Sequence, residues 1–379
     1  MGQPRFAMVA GEASGDLLAS HVLAAMQARW PQLQAQGIGG PQMQGRGFEP
    51  WWPSEKLSVS GYAEVMRHLP ELLRLRRALR DRLLQERPEV FIGVDAPDFN
   101  LGLEAELRAG GIKTVHFVCP SIWAWRMKRV EKLKRACDHV LCIFPFEPEL
   151  LARHGVDSTY VGHPLANVIP MEADQAGARA RLGLPAQARV VALLPGSRRS
   201  EIEALTPRFL AAAKALERKH PGTWFVIPAV PTLQSRISEL ARSGAGPRHL
   251  VIVTGQSHAA MAACDIALVA SGTATLETAL FKRPMVISYR THWLTYALMK
   301  PRHLQPWVGL PNILCRDFVV PELLQSNAKP ELLARALGDW FEQPERMHAV
   351  QQKFRTLHAE LKRDTATLAT DAIEKVLAR

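Results

Sequence analysis

The stretch Cys264-Asp265-Ile266-Ala267-Leu268-Val269-Ala270-Ser271-Gly272-Thr273-Ala274-Thr275-Leu276-Glu277 decides how the chain is read. Ile266 to Ala270 is a short apolar run, as suits a strand buried on both faces of a parallel sheet. Ser271-Gly272-Thr273 breaks the run, and Ala274 to Phe281 reads as a helix with a hydroxyl N-cap in front. Strand, small polar turn and helix start together aim backbone N–H groups and a positive dipole end at an anion. Glu277 falls one helical turn after Thr273, on the same face. A carboxylate there repels phosphate but accepts two hydrogen bonds from a ribose diol, so the stretch describes a nucleotide site. It equally describes an ordinary β–α corner with a Ser/Thr cap and a solvated Glu277.

The same unit recurs along the chain. Arg5 to Ala10 leads into Gly11-Glu12-Ala13-Ser14-Gly15-Asp16, a glycine-punctuated turn that is neither GxGxxG nor a P-loop. Gly37-Ile38-Gly39-Gly40-Pro41 repeats it weakly. Val90 to Val94 leads into Asp95-Ala96-Pro97-Asp98-Phe99-Asn100, where each aspartate suits a helix cap or a general base. Thr114 to Val118 leads into Cys119-Pro120-Ser121-Ile122-Trp123-Ala124-Trp125-Arg126. Arg189 to Leu194 leads into Pro195-Gly196-Ser197-Arg198, a small-residue turn plus arginine that suits a diphosphate. A stretch of weak periodicity from Gly162-His163-Pro164 to Pro185 separates two such series, and His163 there reads as structural. The expected fold is α/β, with two doubly wound Rossmann-like domains facing across a cleft. The division is residues 1–165, 166–345 and 346–379, the last being the closing helices.

A length of 379 residues accommodates two cores, and the net charge of +11 favours anionic partners. Cysteines at 119, 137, 142, 264 and 315 form no CxxC pair, which suits a reducing cytoplasm and argues against disulfides and zinc. Met1 to Phe6 lacks the apolar core of a signal peptide, and no apolar run reaches about 18 residues. Membrane contact is therefore expected to be peripheral. No HExxH, GxSxG or DxD motif is present, so neither a metal nor a cofactor is expected.

A long helix is predicted between Gly61 and Pro88, broken or kinked at Pro70, with Leu69, Leu72, Leu75, Leu79 and Leu83 on one stripe. Arg76 and Arg80 fall near the middle of that stripe, where arginines either snorkel from a core or lie on an anionic surface. Trp123 and Trp125 precede Arg126, Lys128, Arg129, Lys132, Lys134 and Arg135, an aromatic and basic patch. Such a patch suits a nucleic acid, or an apolar cleft near a phosphate. A second such segment runs from His292 to Trp307, followed by Gly309-Leu310-Pro311-Asn312.

Taken together, six stretches in order resemble the bacterial lipid A disaccharide synthases over most of the chain. They are Gly11 to Asp16, Asp95 to Asn100, Pro120 to Arg126, Leu194 to Arg198, Ala270 to Glu277 and Leu310 to Asn312. The resemblance implies a GT-B glycosyltransferase fold whose C-terminal helix returns to the N-terminal domain. It implies a Gram-negative, lipopolysaccharide-forming enzyme working peripherally on the cytoplasmic face of the inner membrane. Its donor would be UDP-2,3-diacylglucosamine and its acceptor 2,3-diacylglucosamine 1-phosphate, giving a β-1,6-linked disaccharide 1-phosphate and UDP. On this resemblance Asp98 matches the family's proposed general base, and Glu277 the ribose-binding position. Arg198 and Asn312 match donor-holding residues, and Ser14 and Gly15 line the cleft in the other domain. Arg290-Thr291-His292-Trp293 matches only loosely and takes no role.

The residues agree with that reaction: inversion needs a base on the acceptor oxygen, and the Ser271-Gly272-Thr273 turn and Arg198 would stabilise the leaving diphosphate. Because both substrates carry acyl chains, Trp123, Trp125, Arg76 and Arg80 are the expected lipid contacts. A UDP-sugar epimerase of the same architecture is the alternative, needing no acyl surface. A nucleic-acid-binding protein would explain the basic patches but not the Ser271–Glu277 turn, so no nucleic acid is expected. A homodimer is compatible with this reading.

Overall fold

The computed structural model describes residues 4–57, 62–125, 127–243, 246–290 and 305–379, and of 62–68, 125 and 128 only the backbone. The chain divides into two compact units, residues 1–164 with 361–379, and residues 165–360. In the first unit β1 (Arg5–Ala10), α1 (Ala13–Arg29), β2 (Gln34–Gly39), α2 (Pro41–Gln44), β3 (Glu49–Pro53) and α3 (Tyr62–Glu86) come first. β4 (Val90–Val94), α4 (Pro97–Ala109), β5 (Lys113–Phe117), α5 (Ile122–Trp125), α6 (Val130–Ala136), β6 (His139–Cys142), α7 (Glu147–Ala152) and β7 (Ser158–Tyr160) follow. The sheet order is β3-β2-β1-β4-β5-β6-β7, with parallel pairing throughout. β1 and β4 are apolar runs covered by helices, and Val9, Phe91, Ile92 and Val115 are fully buried. The edge strand β3 escaped the sequence reading because Pro50 and Pro53 spoil its pattern, as edge positions permit.

α8 (Pro164–Val168) carries the chain onward to α9 (Gln175–Arg181), β8 (Val190–Leu194), α10 (Arg199–Lys219), β9 (Trp224–Ala229) and α11 (Gln234–Arg242). Then come β10 (Leu250–Thr254), α12 (Ser257–Ala263), β11 (Ile266–Ala270), α13 (Thr273–Leu280), β12 (Met285–Tyr289) and, after the helix Leu310–Cys315, β13 (Glu322–Leu324). Their order is β10-β9-β8-β11-β12-β13, again parallel. Both sheets therefore wind outward in two directions from a central pair, β1/β4 in one and β8/β11 in the other.

The chain returns to the first unit later than residue 346. Helix Pro344–Leu361 belongs with the second unit, where Val350, Phe354 and Leu357 are buried. His358 there is fully buried, with Nε2 2.9 Å from the Ala166 carbonyl and Nδ1 2.7 Å from Lys282 Nζ. Helix Thr365–Leu377, by contrast, packs on α1, burying Ala369, Ile373 and Val376. Arg29 ties the two by ion pairs to Asp371, at 2.7 Å, and to Glu374. α3 is continuous through Pro70 rather than broken, because burial of Leu75, Leu79 and Leu83 outweighs the lost hydrogen bond.

Candidate active site

In doubly wound sheets ligands gather outside the carboxyl ends of the two strands between which the order reverses. In the second unit those strands are β8 and β11, and the two turns read as anion-binding, 195–198 and 271–272, follow them directly. Gly272 has φ 155°, with nothing within 4 Å of where a Cβ would stand. This backbone is almost confined to glycine, so the turn opens rather than fills. No hydroxyl caps α13: its N-cap is Gly272, and no side chain bonds there. Thr275 Oγ1 instead donates to the Gly272 carbonyl at 2.7 Å. Ser271, Gly272 and Thr273 thus leave a helix start without a side-chain cap at the switch point. Glu277 stands one turn on, 20% exposed, with Oε1 3.3 Å from His258 Nε2.

The other turn differs from a bare diphosphate cradle. Glu201 folds back so that Oε2 accepts from Ser197 N at 3.0 Å and Arg198 N at 3.2 Å, while Oε1 accepts from Arg198 Nη1 at 3.1 Å. Gly196, at φ 113°, is what permits this, since a Cβ there would stand 2.3 Å from Glu201 Oε2. Two amides expected to face an anion are therefore satisfied internally, and what the turn offers is the Arg198 guanidinium, 79% exposed. Glu201 also raises the Tyr289 phenol, second to burial.

Asn312 is not a ligand-facing residue in this structure. It is fully buried, and its amide donates to the Val320 carbonyl at 2.9 Å and to Glu322 Oε1 at 2.8 Å while accepting from Val320 N at 3.0 Å. Both amide protons are used, so Asn312 fixes the approach to β13 instead.

In the first unit the switch point lies between β1 and β4. Ser14 is exposed in the first turn of α1, and Gly15 packs beneath it, with its would-be Cβ 3.7 Å from Val94 Cγ1. Asp16 is buried and accepts from the amides of Gly40, Gln42 and Met43 at 2.8, 2.9 and 3.1 Å, joining the two glycine turns. Beyond β4 the backbone is left-handed at Asp95 and Ala96, with φ 52° and 44°. Val118, past β5, has φ 79°. For non-glycine residues each such conformation costs on the order of 1–3 kcal/mol, and such strain concentrates at functional sites. Asp98 follows in the first turn of α4, 82% exposed, with Oδ1 2.6 Å from Arg129 Nη2. Deeper in α4, Glu104 lies over Gly93 of β4 and its Oε1 is 2.8 Å from His116 Nδ1 on β5, both side chains fully buried. That pair helps to fix the helix that carries Asp98.

The expected lipid contacts are placed unevenly. Trp123 is only 5% exposed. Its Nε1 donates to Glu147 at 3.1 Å and its ring meets Phe144 and Phe146 edge-on, so core packing and not a bilayer holds it here. Burial pushes the Glu147 acid up to about 8, against three N–H donors that pull it down. The Trp125 side chain, Arg126 and residues 291–304, with His292 and Trp293, lie outside the described residues. Arg76 is half-buried above Gly102, and Arg80 bridges Glu106 at 3.0 Å and Asp81 at 2.7 Å, so both bind α3 to its surroundings. The sequence reading passed over Glu201, His258 and the pairing of Arg129. Only Glu201 left a signal, a carboxylate three residues after a helix N-cap.

Two doubly wound units, with strand-to-helix turns where each sheet reverses, define the class: an α/β protein of the GT-B architecture. Solved structures share it, among them a kitacinnamycin glycosyltransferase at TM-score 0.65 and 15% identity, covering 99% of both chains. A Neisseria meningitidis UDP-GlcNAc 2-epimerase bound to UDP-GlcNAc aligns at TM-score 0.59 and 12% identity over 99% of both chains. These likenesses carry the fold alone. Residues 6–374 match the lipid-A-disaccharide synthetase family model, and the chain belongs to that family. It is 59% identical to the lipid-A-disaccharide synthase of Albidiferax ferrireducens, over 98% of this chain and 97% of that one. It is 52% identical to that of Chromobacterium violaceum, over 99% and 98%. The chain is thus an enzyme of the hexosyltransferase class, and the epimerase alternative shares its fold but not its family.

Proposed function

We propose that the chain transfers 2,3-diacylglucosamine from UDP to the 6-hydroxyl of 2,3-diacylglucosamine 1-phosphate, with inversion, releasing UDP. The observation that carries the site assignment is the open start of α13, without a side-chain cap, at the β8/β11 switch point with Glu277 one turn along. The α13 amides and Arg198 take the diphosphate, and Glu277 takes the ribose diol. Asp98 takes the acceptor proton as the anomeric bond to the diphosphate breaks. Asn312 and Glu201 support the donor side from beneath, and Ser14 and Gly15 belong to the acceptor side.

Both substrates are lipids, so the enzyme works peripherally, on the cytoplasmic face of the inner membrane. Among the described residues no helix is long and apolar enough to cross a membrane. Exposed arginines of α3, Arg74 and Arg77, supply a surface for anionic headgroups. The test is incubation with both sugar lipids and mass analysis of the products. The expected result is a disaccharide 1-phosphate, with UDP released only when the acceptor is present. UDP release or sugar isomerisation without acceptor would replace this reading by epimerisation.

A further inference from the structure

Asp98 has one hydrogen-bonding side-chain partner among the described residues, Arg129, whose Nη2 lies 2.6 Å from Oδ1. The carboxylate is 82% exposed while the guanidinium side chain is 21% exposed, so the arginine is the fixed member of the pair. Arg129 ends the 3-10 turn Met127–Arg129 and is the N-cap residue of α6. The pair is not needed to join α4 to α6. Arg108 already joins them, with Nε 2.9 Å from Asp138 Oδ1 and Nη1 2.7 Å from the Lys134 carbonyl. An exposed aspartate without a partner samples several rotamers, whereas proton abstraction needs one geometry held closely.

We propose that Arg129 is a positioning residue for the acceptor-activating step, an inference that rests on the reading of Asp98 as the base. Its guanidinium holds Oδ1 and fixes the carboxylate plane, leaving Oδ2 to receive the proton. In that step the acceptor O–H proton passes to Oδ2 while its oxygen bonds to the anomeric carbon. The anomeric C–O bond to the diphosphate breaks, and its electron pair leaves with UDP.

The test compares Arg129→Met, Arg129→Lys and the control Arg108→Met, each also made with Asp98→Asn, in the full chain with both sugar lipids. Arg129→Met is expected to lower kcat roughly 10- to 100-fold, the effect of a misaligned reacting group. Acceptor KM and UDP affinity should stay near wild type, and Tm should fall by no more than about 2–4 °C, the share of a surface ion pair. Arg129→Lys should recover part of kcat, having the charge without the fork. With Asp98→Asn, Arg129→Met should cause no further loss, because the two act as one unit. Arg108→Met should lower Tm and leave kcat unchanged. If Arg129→Met does not fold, Arg129→Gln carries the same comparison.

Three results overturn the proposal: kcat retained in Arg129→Met, an equal kcat loss whether or not Asp98 is Asn, or a rise in acceptor KM with kcat intact. An active Asp98→Asn enzyme would instead withdraw the base assignment itself. An inactive Asp98→Asn beside a fully active Arg129→Met removes only the positioning role.

Discussion

At Asp98 an exposed carboxylate follows two left-handed residues, Asp95 and Ala96, in a turn that a relaxed chain would not choose. Asp98→Asn keeps the shape of the side chain and removes the proton acceptor, so kcat is expected to fall about 100-fold or more with Tm nearly unchanged. Normal turnover in a steady-state assay would leave Asp98 only its ion pair with Arg129, since the N-cap of α4 is Ala96 and takes no side-chain bond. Glu277 is expected to contribute through charged hydrogen bonds, and Glu277→Ala should weaken UDP binding by about 1–3 kcal/mol in calorimetry. Unchanged affinity would move the nucleotide away from α13. His163 makes a different, pH-dependent contribution. Burial beside Phe144 pulls its pKa from 6.5 down to about 4. Below pH 6.5 the unfolded chain takes up a proton that the folded chain refuses, so this contribution is present above that pH and is lost as pH falls towards 4. Tm should drop across that window, and His163→Gln should flatten the drop. An equally steep profile in the variant would assign the loss to other groups.

Among the elements, α3 and the β8–α10 turn show how packing redistributes residues of one chemical type. The arginines of α3 divide into those bound inward, such as Arg80 with Glu106, and those exposed, Arg74 and Arg77. Arg74→Glu with Arg77→Glu is expected to weaken sedimentation with anionic vesicles, at roughly 1 kcal/mol per lost charge, with Tm preserved. Arg80→Glu should lower Tm as well, because it sets a carboxylate against Glu106. Vesicle binding indifferent to the exposed pair and to salt would place the membrane surface elsewhere. In the β8–α10 turn Gly196 is held at φ 113° over Glu201. Gly196→Ala should therefore displace Glu201 and release the Ser197 and Arg198 amides, with both stability and UDP affinity altered.

In the whole molecule two sheets of one topology would carry different halves of the proposed chemistry, the nucleotide on the second and the acceptor base on the first. The first unit is completed only by helix Thr365–Leu377, which buries Ala369, Ile373 and Val376 against it. Deleting residues 362–379 is expected to unfold that unit while UDP still stabilises the other, read as a ligand-dependent shift in only one of two thermal transitions. A single transition that still responded fully to UDP would mean that the first unit does not depend on its returning helix.

Local pattern alone determined most of the strand–turn–helix units and their alternation, the edge strands β3 and β13 apart. Apolar runs such as Ile266–Ala270 are costly to expose, while Gly272 allows and Pro97 restricts the backbone of its turn. The ordered series of short motifs likewise pointed to the family. Which polar atoms remain available to a ligand was decided only by tertiary structure. Asn312 reads as a ligand contact until Val320 and Glu322 consume both of its amide protons. Ser197 and Arg198 read as free anion donors until Glu201 bonds their amides, and Trp123 reads as a lipid contact until Phe144, Phe146 and Glu147 enclose it. His258 and Arg129 carry no periodic signal, and only helix packing sets them against Glu277 and Asp98. The reason is physical: a side chain's hydrogen-bonding capacity is finite, and burial by distant segments decides where it is used.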